Sequence, residues 1–225
     1  METAHADAGL KLSVPGANGS IPWGIVVLLT LLTLLPAILL CMTPFVRILV
    51  VFHFLRQALG TQTTPTNQTL VGLALVLTWF LMQPVAANMQ TVAIAPFQDG
   101  KISAMDAVER GSVPLRDFML KYARQKDLAL FVDIGKIPRP RSPQDLPMRI
   151  VMPAYILSEL KVGFQIGAVL FLPFLVIDIV VAALTTSVGM LQLPPVVIST
   201  PLKIVLFVLV DGWNLLVGSL VKSFG

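Results

Sequence analysis

Hydrophobic residues along this chain fall into two long blocks separated by one polar stretch. Most positions over 21–40 are apolar, and no charge occurs between Leu12 and Val46, which is enough for one membrane span of about 20 residues. Next, Phe45, Ile48, Phe52, Leu55 and Leu59 recur at spacings of three and four, predicting a helix with a single apolar stripe. The segment 60–68 is turn-forming by composition, and 70–84 returns as a second apolar helix, so residues 21–98 read as an apolar helical hairpin. Residues 1–20 are small and polar and read as a flexible tail. The polar insert, 99–149, carries a helical stretch over 103–131 with mixed charges, as in a solvated amphipathic helix, and a proline-rich extended connector at 137–143. The second apolar block, 150–225, divides into arms at 163–188 and 196–224 about a loop at 189–195. The fold class expected is all-α: membrane-associated helical hairpins joined by a polar helical insert.

Composition strengthens that reading. The 225 residues are 56% hydrophobic and 12% charged, with a mean hydropathy of +0.84. So much apolar surface exceeds what one core of this size buries, which excludes a disordered chain, argues against a soluble enzyme and requires lipid or other subunits as cover. Of the Asp, Glu, Lys and Arg residues, 17 fall within 99–149. The net charge of +4 does not point to nucleic acid, because no basic stripe with interleaved aromatics occurs and seven acids accompany the ten bases of the insert. Cys41, the single cysteine, lies in an apolar run and allows neither an intrachain disulfide nor a cysteine metal site. His53 and His5 lack ligand partners at useful spacing, so no metal is expected. There is no nucleophile with a base, phosphate loop or pair of catalytic carboxylates, so neither enzyme activity nor a cofactor is expected. The tail has Lys11 as its one fixed positive charge, and Cys-Met-Thr-Pro-Phe follows the first apolar run where a signal peptide would have small residues. That run therefore reads as a span, with any cleaved signal outside this numbering.

A few isolated charges and one loop are the candidate functional residues. Pro36, Pro44, Pro84, Pro173 and Pro201 lie in or beside apolar segments, where proline frees carbonyls that need protein partners, so these segments should be bent and packed on protein. Arg47 and Arg56 are nine residues apart on roughly opposite helix faces, so either the helix leaves the hydrocarbon or each has its own partner. Asp178 lies ten residues before Val188, and Lys203 eight after Pro195. Folding the block at the loop brings the two level within about 3 Å along the helix axes, where a salt bridge satisfies both. The bridge could be an architectural staple or a contact broken when a conducting path opens. Glu159 and Lys161 project on different sides of their helix, as either a polar start to an apolar helix or contacts between subunits. Asp211 is a further isolated charge, and with Asp178 and Lys203 it keeps a small-ion channel open as an alternative class. Arg47, Arg56, Glu159, Lys161 and Asp211 together are candidates for interface contacts. In the loop, Met190 with Leu191 and Leu193 could form a deformable apolar constriction if several copies met in a ring.

Three stretches carry a resemblance to a known family: LLPAILLCMTPFVRILVVFHFLRQALGTQTTPTNQTLVGLALVLTWFLMQPV (34–85), DFMLKYARQKDLALF (117–131) and AYILSELKVGFQIGAVLFLPFLVIDIVVAALTTSVGMLQLPPVVISTPLKIVLFVLVDGWNLLVGSL (154–220). They resemble the FliP family of flagellar export gate subunits, which is similar in turn to the SctR components of virulence type III secretion systems. The resemblance implies a non-enzymatic subunit of a pentameric ring that assembles with FliQ and FliR, with FlhB attached, in the flagellar basal body at the bacterial inner membrane. Unfolded flagellar export substrates would pass through it. It implies that the family's methionine-rich constriction falls on 189–195, where Met190, Leu191 and Leu193 would line the gasket and Gln192 departs from the pattern. It also implies that the family's charged pair corresponds to Asp178 and Lys203. An SctR-type subunit, or a scaffold nucleating the basal body, is the alternative. By the count of Lys and Arg the insert belongs in the cytoplasm. The resemblance instead implies the periplasmic side, because helices packed in a protein cone escape a rule framed for independently inserted spans.

Overall fold

The computed structural model describes residues 11–12, 21–61, 63–138, 142–190 and 194–225. Among these, the regular structure is helical apart from a two-residue antiparallel ladder between β1 (Lys11–Leu12) and β2 (Ile21–Pro22). The chain divides into two compact units, 1–40 and 41–225. The first contains nearly all of α1 (Trp23–Cys41), which is apolar on every side and has no buried residue. Its hydroxyls are satisfied inside the helix: Thr30 donates to the Val26 carbonyl at 2.7 Å and Thr33 to the Thr30 carbonyl at 2.9 Å, which leaves an outer surface fit for hydrocarbon. In the single chain Pro36, Pro84, Pro173 and Pro201 are exposed, whereas Pro44 is buried at the N-cap of the next helix.

In the second unit, α2 (Phe45–Ala58) buries Ile48, Phe52 and Leu55 of the expected stripe, with Leu59 just beyond its end, adds Val51, and leaves Phe45 half-buried. Thr66 caps α3 (Asn67–Met89) by accepting the Thr69 N–H at 3.3 Å, so that helix begins three residues before the apolar run does. It continues through a π-helical stretch (Gln90–Ile94) into α4 (Ala95–Gln98). The insert holds α5 (Ala104–Tyr122) and α6 (Gln125–Ile134), two helices where the sequence predicts one. The chain turns extended at Ala123 and Arg124, and the freed Arg124 N–H donates at 2.9 Å to the buried Ser158 hydroxyl. Part of the proline-rich connector, 139–141, lies outside the described residues.

A single 40-residue helix, α7 (Met148–Ser187), runs through Pro153 and Pro173 and joins two cores. At about 60 Å it exceeds a bilayer's hydrocarbon thickness of about 30 Å. Its first part packs Ile150, Val151 and Tyr155 with Met119 of α5, Val132 of α6 and Leu146. Farther along, Phe174 joins α2, Leu70 and Ala74 of α3, Phe207 of α8 (Val196–Leu209), and Leu216 and Leu220 of α9 (Gly212–Lys222). The final arm, expected as one helix, is bent by 67° between α8 and α9, with Asp211 in the left-handed region at φ 52°. Helices α1, α7 and the continuous 67–98 run are each long and apolar enough to cross a membrane, as is the bent α8–α9 pair if it counts as one span.

Candidate functional site at the bent apolar hairpin

α7 and α8 leave large apolar side chains on their outer surfaces, among them Val169, Leu172 and Val176 on one and Val197, Leu202 and Val205 on the other. Between the two helices lies one ion pair. The Lys203 ammonium, almost wholly buried, donates to Asp178 Oδ2 at 2.5 Å. Ser199, one turn before Lys203, is buried beside Asp178 without meeting hydrogen-bond geometry, and Asp178 Oδ1 has no partner. The ion pair fixes the level of the two helices, with the Ser199 hydroxyl as the polar group beside the carboxylate.

At the tip of this hairpin, Gly189 adopts φ 78°, which a residue with a side chain takes only under strain. The Gly189 N–H donates to the Thr186 carbonyl and the Met190 N–H to the Thr185 carbonyl, both at 3.0 Å, closing α7 in a Schellman cap. Met190 therefore leaves the helix from a defined position, and its side chain is 48% exposed. Leu191, Gln192 and Leu193, the rest of the expected constriction, lie outside the described residues.

A second ion pair underlies the site. Arg47 of α2 and Glu159 of α7 are 3% and 0% exposed. Arg47 Nε donates to Glu159 Oε2 at 2.9 Å and Nη2 donates to Oε1, the bidentate geometry that suits guanidinium and carboxylate. The remaining Nη1 donates to the Ser223 hydroxyl at 2.9 Å and the Ser223 carbonyl at 3.2 Å. The Phe224 ring lies 3.8 Å from the guanidinium carbon, and the Tyr122 hydroxyl donates to the Phe224 carbonyl at 2.5 Å. Close helix approach makes this reach attainable. Gly163 and Gly167, one turn apart on α7, face Val50 and Phe54 of α2, where a Cβ on Gly167 would overlap the Phe54 ring.

Comparison with known proteins settles the family. Residues 28–220, which take in α2 through most of α9 and both ion pairs, match the FliP family. The chain belongs to the FliP family. It is 51% identical over 214 residues to the flagellar biosynthetic protein FliP of Pectobacterium carotovorum subsp. carotovorum, covering 93% of this chain and 83% of that protein. The FliP of Bacillus subtilis (strain 168) is 50% identical over 89% of this chain and 90% of its own length. That of Aquifex aeolicus (strain VF5) is 43% identical over 89% and 84%.

Within this FliP-family chain, the other expected site residues have separate fates. Arg56 Nη1 donates to Asn67 Oδ1 at 2.6 Å and its Nη2 lies 3.1 Å from His53 Nδ1, so the two arginines of α2 each have their own partners. Burial, followed by the Arg56 charge, pushes the His53 imidazole below its ordinary value. Lys161 and Asp211 are exposed and make no ion pair among the described residues. Arg47 and Glu159 were candidates for contacts with other subunits, but they spend their charges on each other within the chain. The sequence offered no sign of that pairing, since 112 residues separate the two. The Ser158–Asp127 contact, with the hydroxyl donating at 2.6 Å, was equally hidden. Among the described residues no group of three or more His, Cys, Asp or Glu could hold a metal.

Proposed function

We propose that this chain is a core pore subunit of the flagellar type III protein export gate, conducting unfolded flagellar proteins across the bacterial inner membrane within the basal body. The observation that carries the reading is the α7–α8 hairpin of a FliP-family chain: apolar outside, cross-linked by Lys203–Asp178, and ending in the capped, exposed Met190. That surface needs cover. Other copies of the chain supply it in a ring, pentameric by the family resemblance, together with FliQ and FliR, with FlhB attached. The exposed Lys161 and Asp211, and Arg56 at the edge of α2, face those neighbours.

The mechanism is mechanical and not enzymatic, and it needs no cofactor. Met190, Leu191 and Leu193 from each copy close an apolar constriction that water and ions do not cross, while their deformable side chains yield to a passing polypeptide. Asp178–Lys203 holds the two helices level behind the constriction.

Replacing Met190, Leu191 and Leu193 with alanine in a gate-expressing cell raises ion permeability while the complex stays assembled. Unchanged conductance from an intact complex removes the gasket role. Reversing both charges, with Asp178→Lys and Lys203→Asp together, restores export relative to either single reversal. Failure of assembly in all three variants instead assigns the pair to scaffolding.

A further inference from the structure

The bent final arm has two polar anchors, and its halves also meet in one apolar core, where the Phe207 ring of α8 packs on Trp213 and crowds Gly212 of α9. α8 buries Ser199, Lys203 and Phe207, and its polar tie is Lys203 to Asp178. α9 buries Gly212, Leu216 and Leu220, and just beyond it Ser223 and Phe224 meet the Arg47 guanidinium and the Tyr122 hydroxyl. Between them the chain makes its 67° bend at Val210 and Asp211, and Asp211 takes a left-handed conformation that non-glycine residues adopt as isolated joints and not within helices.

We propose that the Arg47–Glu159 pair is a latch for the end of α9, a polar anchor distinct from the Lys203–Asp178 tie that holds α8. The guanidinium is suited to this role because its donors are divided. Two of its nitrogens are committed to Glu159, which orients the plane, and the third is aimed at Ser223. The Phe224 ring covers the guanidinium face and completes the contact. Glu159 is thus a positioning residue that acts through Arg47. The latch does not rest on the export reading.

Hydrogen–deuterium exchange of the full chain, in the detergent-extracted assembly in which it is recovered, tests the latch without measuring export. In the double variant Arg47→Leu/Glu159→Leu, which leaves no orphaned charge, peptides covering 212–224 exchange at least about tenfold faster, while those covering 196–209 stay within about twofold of the parent. Ser223→Ala/Phe224→Ala keeps the ion pair and gives the same pattern, so the test survives if the first variant fails to fold. Asp178→Asn/Lys203→Met gives the converse, with 196–209 loosened and 212–224 unchanged. Equal loosening of both halves in any folded variant, or no change at 212–224 in the latch variants, overturns the proposal. Loss of export with the predicted exchange pattern keeps the latch and bears only on the gate; a normal exchange pattern with lost export removes the latch alone.

Discussion

The Ser158 hydroxyl accepts the Arg124 N–H, donates to Asp127 Oδ2, and is itself fully buried. Ser158→Ala therefore strands a backbone donor and takes one of its two partners from Asp127 Oδ2, which keeps Arg124 Nε at 3.2 Å, and lowers stability by about 1–3 kcal/mol. Thermal unfolding of the extracted assembly measures this, and an unchanged midpoint would mean that water reaches both groups. A second residue-scale prediction concerns pH. Ser103 caps α5 through a reciprocal pair, its hydroxyl accepting the Asp106 N–H while the Asp106 carboxylate accepts from the Ser103 hydroxyl and N–H. The Ser103 side chain, and then its N–H, holds the Asp106 carboxyl below its ordinary value. Asp106 releases its proton more readily folded than unfolded, so its contribution is present above the unfolded pKa and is lost as pH falls through the folded one. Ser103→Ala brings the Asp106 titration back up toward the ordinary carboxylate value, which a carboxyl-carbon NMR titration detects.

At the scale of elements, the seam between α2 and α7 depends on two missing side chains. A Cβ on Gly163 would come within 3.1 Å of Val50 Cγ1, whereas one on Gly167 would run into the Phe54 ring. Gly167→Val accordingly costs about 1–3 kcal/mol through overpacking and Gly163→Ala less, as Val50 needs to give by only a few tenths of an ångström. Denaturation of the two variants side by side gives the order; equal losses would mean that Phe54 swings aside. The α2 stripe was legible in the sequence because a helix face repeats every three to four residues and needs no knowledge of distant chain. The break at 123–124 was not. Its mixed charges continue without a proline or glycine, and the competing partner, Ser158, lies 34 residues away. The bend at 210–211 did have a local signal, the turn-forming dipeptide Asp211-Gly212 inside an otherwise apolar arm.

For the whole molecule, the apolar residues left outside the two cores are the governing fact. Trp79, Val169, Leu184, Val208 and Leu209 are each more than three-fifths exposed, and lipid or protein must cover such a surface. Native mass measurement of the detergent-extracted chain, alone and with FliQ and FliR, is expected to give a multimer that grows with its partners; a stable monomer in both cases would sink the ring. The family, the all-helical class and the membrane character were determined by the sequence itself, because they rest on long motifs, helical periodicity and sheer apolar content. The level at which Asp178 meets Lys203 was within reach as well, being helix rise counted from one loop. What only the tertiary structure decided is how the other charges are used. Arg47, Glu159 and Ser223 come together because two glycines let α2 and α7 approach and the last arm bends back over them, and a choice of partner across that distance leaves no local pattern in the chain.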